Sequence, residues 1–184
     1  MPRFAAVFIL LVSLAKNDVC GEPSTGYNDR VTRQLEFALA CPFFMPQHRF
    51  ENGTWPHPAR LPLGAGWSGY CTAPGHEGEI PELAVLQDGC NLGYATCCSR
   101  RPAERPWDSI RFQVTRAGEQ RLLLAYACER DHSPKEHGTL EYDVASVGWI
   151  VSHADTRLQK LAECHVESYL LRKKSVSALE NELL

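Results

Sequence analysis

Cysteine is the residue with the most chemistry to offer in this chain: there are eight in 184 residues, unevenly spaced. Cys41, Cys71, Cys90 and Cys97 are separated by 29, 18 and 6 residues, and each lies beside proline, glycine or another turn-forming stretch. Thiolates are soft anionic ligands, so four of them carried on loops can hold a tetrahedral zinc ion or an iron–sulfur cluster. Loops suit the task because their backbone bends round a metal and turns amide N–H groups toward the sulfurs. These four are the candidate metal ligands. There is no C-x2-C pair in the chain, whereas most zinc ribbons and fingers have one, so the spacing favours a cluster over zinc. A proline follows Cys41, as one follows a ligand cysteine in bacterial ferredoxins.

The same residues admit a second reading, a disulfide framework. Eight is an even number, and eight cysteines allow 105 pairings. Cys128 and Cys164 count against it. The first falls at an inward-looking position of a predicted strand and the second at the edge of a helical stripe, places that suit buried free thiols. Four cysteines in loops and two in a core is the distribution expected of a metalloprotein in a reducing compartment.

Histidine could complete a mixed site. His76 lies five residues after Cys71, and His57 stands between two prolines; the plainer expectation for both is a solvent-facing loop. His132 and His137 flank the turn expected at Ser133-Pro134 of a 121–144 hairpin, where exposure is expected. His165 falls within a helical stripe and reads as a core histidine bonded to a neighbour. A nucleophile elbow, a P-loop, a dinucleotide glycine pattern and H-E-x-x-H are all missing from the sequence. Asn52-Gly53-Thr54 is a glycosylation sequon. Trp55, Trp67 and Trp107 are expected to cover the cysteine site with apolar surface.

The elements that must position these residues fall into five segments. Phe4 to Ala15 is a 12-residue apolar run after Arg3, with small residues where a signal peptidase cuts. Residues 1–15 are thus a candidate signal peptide, or else an extension outside the core. Residues 16–30 read as a linker. Residues 31–107 form the cysteine-rich region, opening with a short helix or strand that must stop before Pro42. Nine of the 12 prolines and eight of the 13 glycines lie between Pro42 and Pro106, so this stretch needs a staple to fold. Its one expected helix is Pro81 to Asp88.

Residues 108–174 have ordinary core periodicity. Ile110, Phe112 and Val114 alternate, as do Leu122 to Cys128 and Leu140 to Val144, and Trp149 with Val151 suggests a fourth strand. A helix capped by Asp155 should run to about Lys173, with Leu158, Leu161, Ala162 and Tyr169 on one stripe. Residues 175–184 form a tail expected to fray. The expected fold is α+β, a loop-rich, cysteine-stapled N-terminal half wrapped on a small antiparallel sheet with a C-terminal helix, all sharing one core.

Net charge is −3, which leaves no basic footprint for nucleic acid. No apolar run reaches the roughly 18 residues of a membrane span. Two function classes follow. One is a cytoplasmic metal-binding protein using an iron–sulfur cluster or zinc for structure, redox chemistry or recognition of a protein partner. The other is an exported, disulfide-stapled binding or structural module without a cofactor. An enzyme is a third option for which no catalytic residues stand out.

Overall fold

The computed structural model describes residues 39–50, 55, 61–91 and 98–182. The apolar run 4–15, the linker, the element expected over 31–38, the Asn52 sequon, His57 and Cys97 lie outside the described residues.

Two antiparallel sheets and a long C-terminal helix make the fold α+β. The smaller sheet pairs β1 (Phe44–Arg49) with β2 (Trp67–Cys71). Neither strand was expected, and Pro46 explains why. Proline cannot donate to a ladder and so argues against a strand in sequence, yet an edge position tolerates it. A register shift follows it, between Pro46 and His48.

The larger sheet is the expected meander: β3 (Ser109–Ala117), β4 (Arg121–Arg130), β5 (Ser133–Asp143) and β6 (Gly148–Val151), in sequential order. Its inward face is the even-numbered set, with Ile110, Leu122, Leu124, Cys128 and Leu140 buried and Phe112, Tyr126 and Tyr142 packed beside them. The β4–β5 turn differs from expectation. Asp131 and His132 take φ of 52° and 58°, and Pro134 lies inside β5. Two left-handed residues make the type I′ turn whose twist matches a hairpin, and aspartate and histidine are among the residues that tolerate it.

Helix α2 (Thr156–Glu182) extends beyond the span to Lys173 that its stripe marks. The Asp155 carboxylate accepts the Arg157 N–H at 2.8 Å, the expected N-cap. Leu158, Leu161, Ala162 and Val166 are buried on the stripe facing β1 and β3. Apolar residues from the cysteine-rich region (Phe43, Phe44, Leu61, Leu63, Trp67, Leu86) join those of the sheet and helix in one continuous core.

Three polar ties hold loops to this core. His165 Nδ1–H donates to the Pro62 carbonyl at 2.9 Å, and Arg172 Nη1 donates to the Gly64 carbonyl at 2.8 Å. Gly64 has φ of 74° and its Cα lies against the Arg172 guanidinium, so a side chain there is refused by both conformation and space. The third tie is buried Asp108. It accepts hydrogen bonds from Arg105, from Arg101 at 3.5 Å and from the Asp131 N–H at 2.8 Å. The loop after Cys98 is thereby fastened to the β4–β5 turn.

Candidate metal centre

Four separate pieces of backbone each bring one cysteine to the same place. Cys41 precedes β1 in a segment hooked onto the large sheet. Ala40 N–H donates to the Ile110 carbonyl at 2.7 Å and Ile110 N–H donates back at 2.9 Å. Cys71 ends β2 directly opposite Phe44. Its N–H donates to the Glu79 carbonyl at 2.8 Å and its carbonyl accepts from Gly78 at 2.9 Å, which closes the 72–78 loop on itself.

Cys90 lies in the only described departure from ordinary helix. A single α-turn, α1 (Leu83–Val85), widens into a π-helical turn over Leu86–Asn91. The expected helix over Pro81 to Asp88 is thus shorter and continues differently. Buried Asn91 holds it open: its amide donates to the carbonyls of Trp67 (2.9 Å) and Leu86 (3.0 Å) while its oxygen accepts the Trp67 N–H (2.9 Å). One side chain therefore saturates the inner edge of β2 and the π turn together. The Cys90 carbonyl accepts the Cys41 N–H at 3.3 Å, joining the first and third pieces. Cys98 opens the loop that Asp108 fastens.

The result is a pocket lined by Cys41, Cys71, Cys90 and Cys98, with Phe43, Phe44, Ala73, Pro81 and Val85 as its apolar wall and Arg100 and Arg101 at its side. The cavity they line is small, about 20 Å³. Three of the four sequence-predicted ligands are therefore brought together. The fourth position in the pocket is taken by Cys98, with Cys97 outside the described residues. Among the described residues no three of His, Cys, Asp and Glu are grouped as the ligands of a single metal ion.

Electrostatics in the pocket are those of thiols that resist ionisation as they stand. Burial above all, with the neighbouring Cys98 and Cys71, pushes the Cys41 thiol up to about 12 against the pull of hydrogen bonds from the Phe43 and Phe44 amides. Burial also drives the Cys90 thiol upward, with Cys41, Cys98 and Cys71 adding to it and Arg100 opposing. Amide donors recur at Cys71, whose sulfur accepts the Ala73 N–H at 3.4 Å. Arg100 donates its Nε side to Glu79 at 3.2 Å, while its Nη1 is buried without a hydrogen-bond partner. An unpartnered guanidinium nitrogen and three amides on two sulfurs suit an anionic group in the pocket.

The other expectations divide cleanly. Cys128 and Cys164 are fully buried in the core, apart from the pocket, with burial raising both thiols to about 12. All six described cysteines are free. His76 approaches Glu79 at 3.1 Å and does not line the pocket. His165 is bonded as expected, to the Pro62 carbonyl, but is half-buried rather than in the core, and burial lowers its imidazole pKa. Trp55 and Trp67 are buried in the core. Sequence reasoning missed Arg100 and Arg101; the one signal was their closeness to the Cys97-Cys98 pair. No helix among the described residues is long and apolar enough to cross a membrane.

No protein-family model matches the chain, and no curated protein or solved structure is similar to it.

Proposed function

We propose that the chain is a metal-binding protein whose pocket holds an iron–sulfur cluster on Cys41, Cys71, Cys90 and Cys98. The observation that carries this reading is the meeting of four thiols from four backbone pieces in one apolar pocket. The Cys41 and Cys90 thiols resist ionisation where they lie, so they become thiolates only beside a compensating cation. The wide spacing of the cysteines, with no C-x2-C pair in the chain, favours a cluster over zinc here.

Each neighbour then has a part. The amides of Phe43, Phe44 and Ala73 bond to ligand sulfurs and stabilise their charge. Arg100 adds a cation on the same side. Phe43, Phe44 and Pro81 keep water from most of the site. Such a cluster supplies one-electron redox chemistry when bound, and it also ties the cysteine-rich region to the sheet through Cys41.

Purification without oxygen, followed by visible absorption and assay of iron and acid-labile sulfide, tests the reading. Charge-transfer bands with stoichiometric iron and sulfide are expected. Colourless protein with stoichiometric zinc would replace the cluster by zinc. Neither metal, with the pocket thiols oxidised in pairs, would leave the disulfide module.

A further inference from the structure

A second cavity lies apart from the thiols, on the inward face of the large sheet. Its floor is one row across three strands: Phe112 of β3, Tyr126 of β4 and Gly138 of β5 stand opposite one another in register. Leu61, Pro62 and His165 line it from the α2 side, and the open groove measures about 880 Å³. Small-molecule sites span about 300–1,000 Å³ and combine apolar walls with a few placed polar groups. Gly138 keeps the floor flat. A Cβ there would lie 2.8 Å from the Tyr126 ring and hydroxyl, so glycine lets that ring lie across β5.

The polar groups at the two ends of this row are hydrogen-bond acceptors. At the β3 end the His165 ring lies 5.7 Å from that of Phe112. His165 donates its Nδ1–H to the Pro62 carbonyl and burial favours its neutral form, so Nε2 carries a lone pair. At the β5 end stands Glu136, two residues before Gly138 and on the same face. Its Oε1 accepts the Tyr126 hydroxyl at 3.4 Å and the His153 Nε2–H at 3.1 Å. The His153 tautomer is fixed, because its Nδ1 accepts the Asp155 N–H at 3.0 Å. Both donors go to Oε1; Glu136 Oε2 has no hydrogen bond or ion pair to a described residue, and the side chain is 39% exposed. Arg111 and exposed His137 are the basic side chains along the groove besides His165, and Arg111 is paired with Glu129 at 3.3 Å.

A ligand that fits must bring hydrogen-bond donors on a flat apolar body, with a cation for the open carboxylate oxygen. Strands lie about 4.8 Å apart, so the row from Phe112 to Gly138 spans about 10 Å, the length of an aromatic ring carrying a two-carbon amine. We infer that this groove binds an aromatic primary amine, with its ring on Phe112 and Tyr126 and its ammonium on Glu136 Oε2. A donor on the ring itself, such as an indole N–H, is accepted by His165 Nε2. This site is independent of the metal reading, since the groove and the thiol pocket share no lining residue.

The test titrates the full chain with tryptamine by isothermal calorimetry. Indole-3-acetate, the same ring with a carboxylate in place of the ammonium, is the control. Tryptamine should bind about tenfold or more tightly than indole-3-acetate. Glu136→Gln keeps an acceptor for Tyr126 and His153 but removes the charge, so it should weaken tryptamine about tenfold and leave indole-3-acetate no weaker. Gly138→Ala, whose Cβ displaces the Tyr126 ring, should weaken tryptamine several-fold. Far-ultraviolet circular dichroism establishes that each variant is folded. Two readouts need no variant: the ratio of the two ligands on the wild type, and the amide chemical shifts that tryptamine moves, which should centre on Phe112, Tyr126 and Gly138. Equal affinity for the two ligands, shifts centred elsewhere, wild-type tryptamine affinity in folded Glu136→Gln, or no binding at millimolar tryptamine would each overturn the site.

Discussion

A buried thiol with three others around it is a weak acid and a weak ligand until something takes its proton, and the pocket residues are best judged by that condition. Replacing Cys41, Cys71, Cys90 or Cys98 by serine should each bleach the visible bands and lower iron content. Cys128→Ser and Cys164→Ser should leave both unchanged, because those sulfurs sit in the core away from the pocket. Metal loss on changing Cys128 with Cys90→Ser unaffected would sink the assignment. Arg100 permits a second test at this scale. Its charge favours the more negative, reduced cluster, so Arg100→Met should lower the midpoint potential measured by spectroelectrochemistry while the bands persist. That Cys41, Cys71 and Cys90 meet in one pocket was legible in sequence, because wide spacing beside turn formers marks side chains delivered to one place by loops. Cys98 was not separable from Cys97, since adjacent residues differ only in which way a turn directs each side chain. Arg100 gains its meaning from the fold alone.

At the scale of elements, the meander and α2 could be read directly, because one-sided burial writes itself as alternation in Ile110, Phe112 and Val114 and as a stripe in Leu158, Leu161 and Ala162. The β1–β2 ribbon and the π turn could not. Pro46 hides the first, and the second is a wider backbone turn, reinforced by the Asn91 side chain, that no periodicity encodes. Asn91→Ala should therefore do more than remove a polar group. It strands the Trp67 N–H and two carbonyls in the interior, at about 1–3 kcal/mol for each group left unsatisfied. It also releases the turn bearing Cys90. Urea denaturation should show the loss of stability, and iron content should fall with it; retention of both would mean the backbone closes without Asn91.

The tie between α2 and the 61–66 loop is pH-sensitive in a definite direction. Burial lowers the His165 imidazole pKa below that of the unfolded chain, near 6.5. Above that value both states are neutral and the full stability is present. As pH falls below it the unfolded chain takes up a proton that the native chain refuses, so stability declines until the folded pKa is reached. His165→Gln should flatten the part of the urea-midpoint profile just below about pH 6.5 relative to the wild type. An unchanged slope would show that His165 is solvated in the native state.

For the whole molecule the question is whether the cysteine-rich region and the sheet can part company. Residues 108–174 alone make a small unit, and domains near 60 residues bury only about 60% of the surface of their unfolded chain. The buried residues bear this out, because Phe44, Leu63 and Trp67 belong to the same core as Ile110, Leu124 and Leu158. The connection is also polar and covalently near the pocket. Ala40 is bridged to Ile110, Cys98 begins the loop held by Asp108, and Cys41 is bonded to the Cys90 carbonyl. Ligands held on a metal turn binding free energy into folding free energy. On the proposed cluster reading, removing the metal by chelation should therefore lower the unfolding midpoint of the entire chain, with sheet circular dichroism, α2 signal and tryptophan fluorescence lost in one transition. Asp108→Asn should act through the same coupling. It weakens the guanidinium pairs that anchor the Cys98 loop, so it should lower the midpoint and quicken metal loss to a chelator. Two separate transitions, with the amides of β3 to β5 still protected from exchange after the metal is gone, would show instead that the sheet and helix stand alone. In that case Leu63 and Trp67 would be packing that the core can do without.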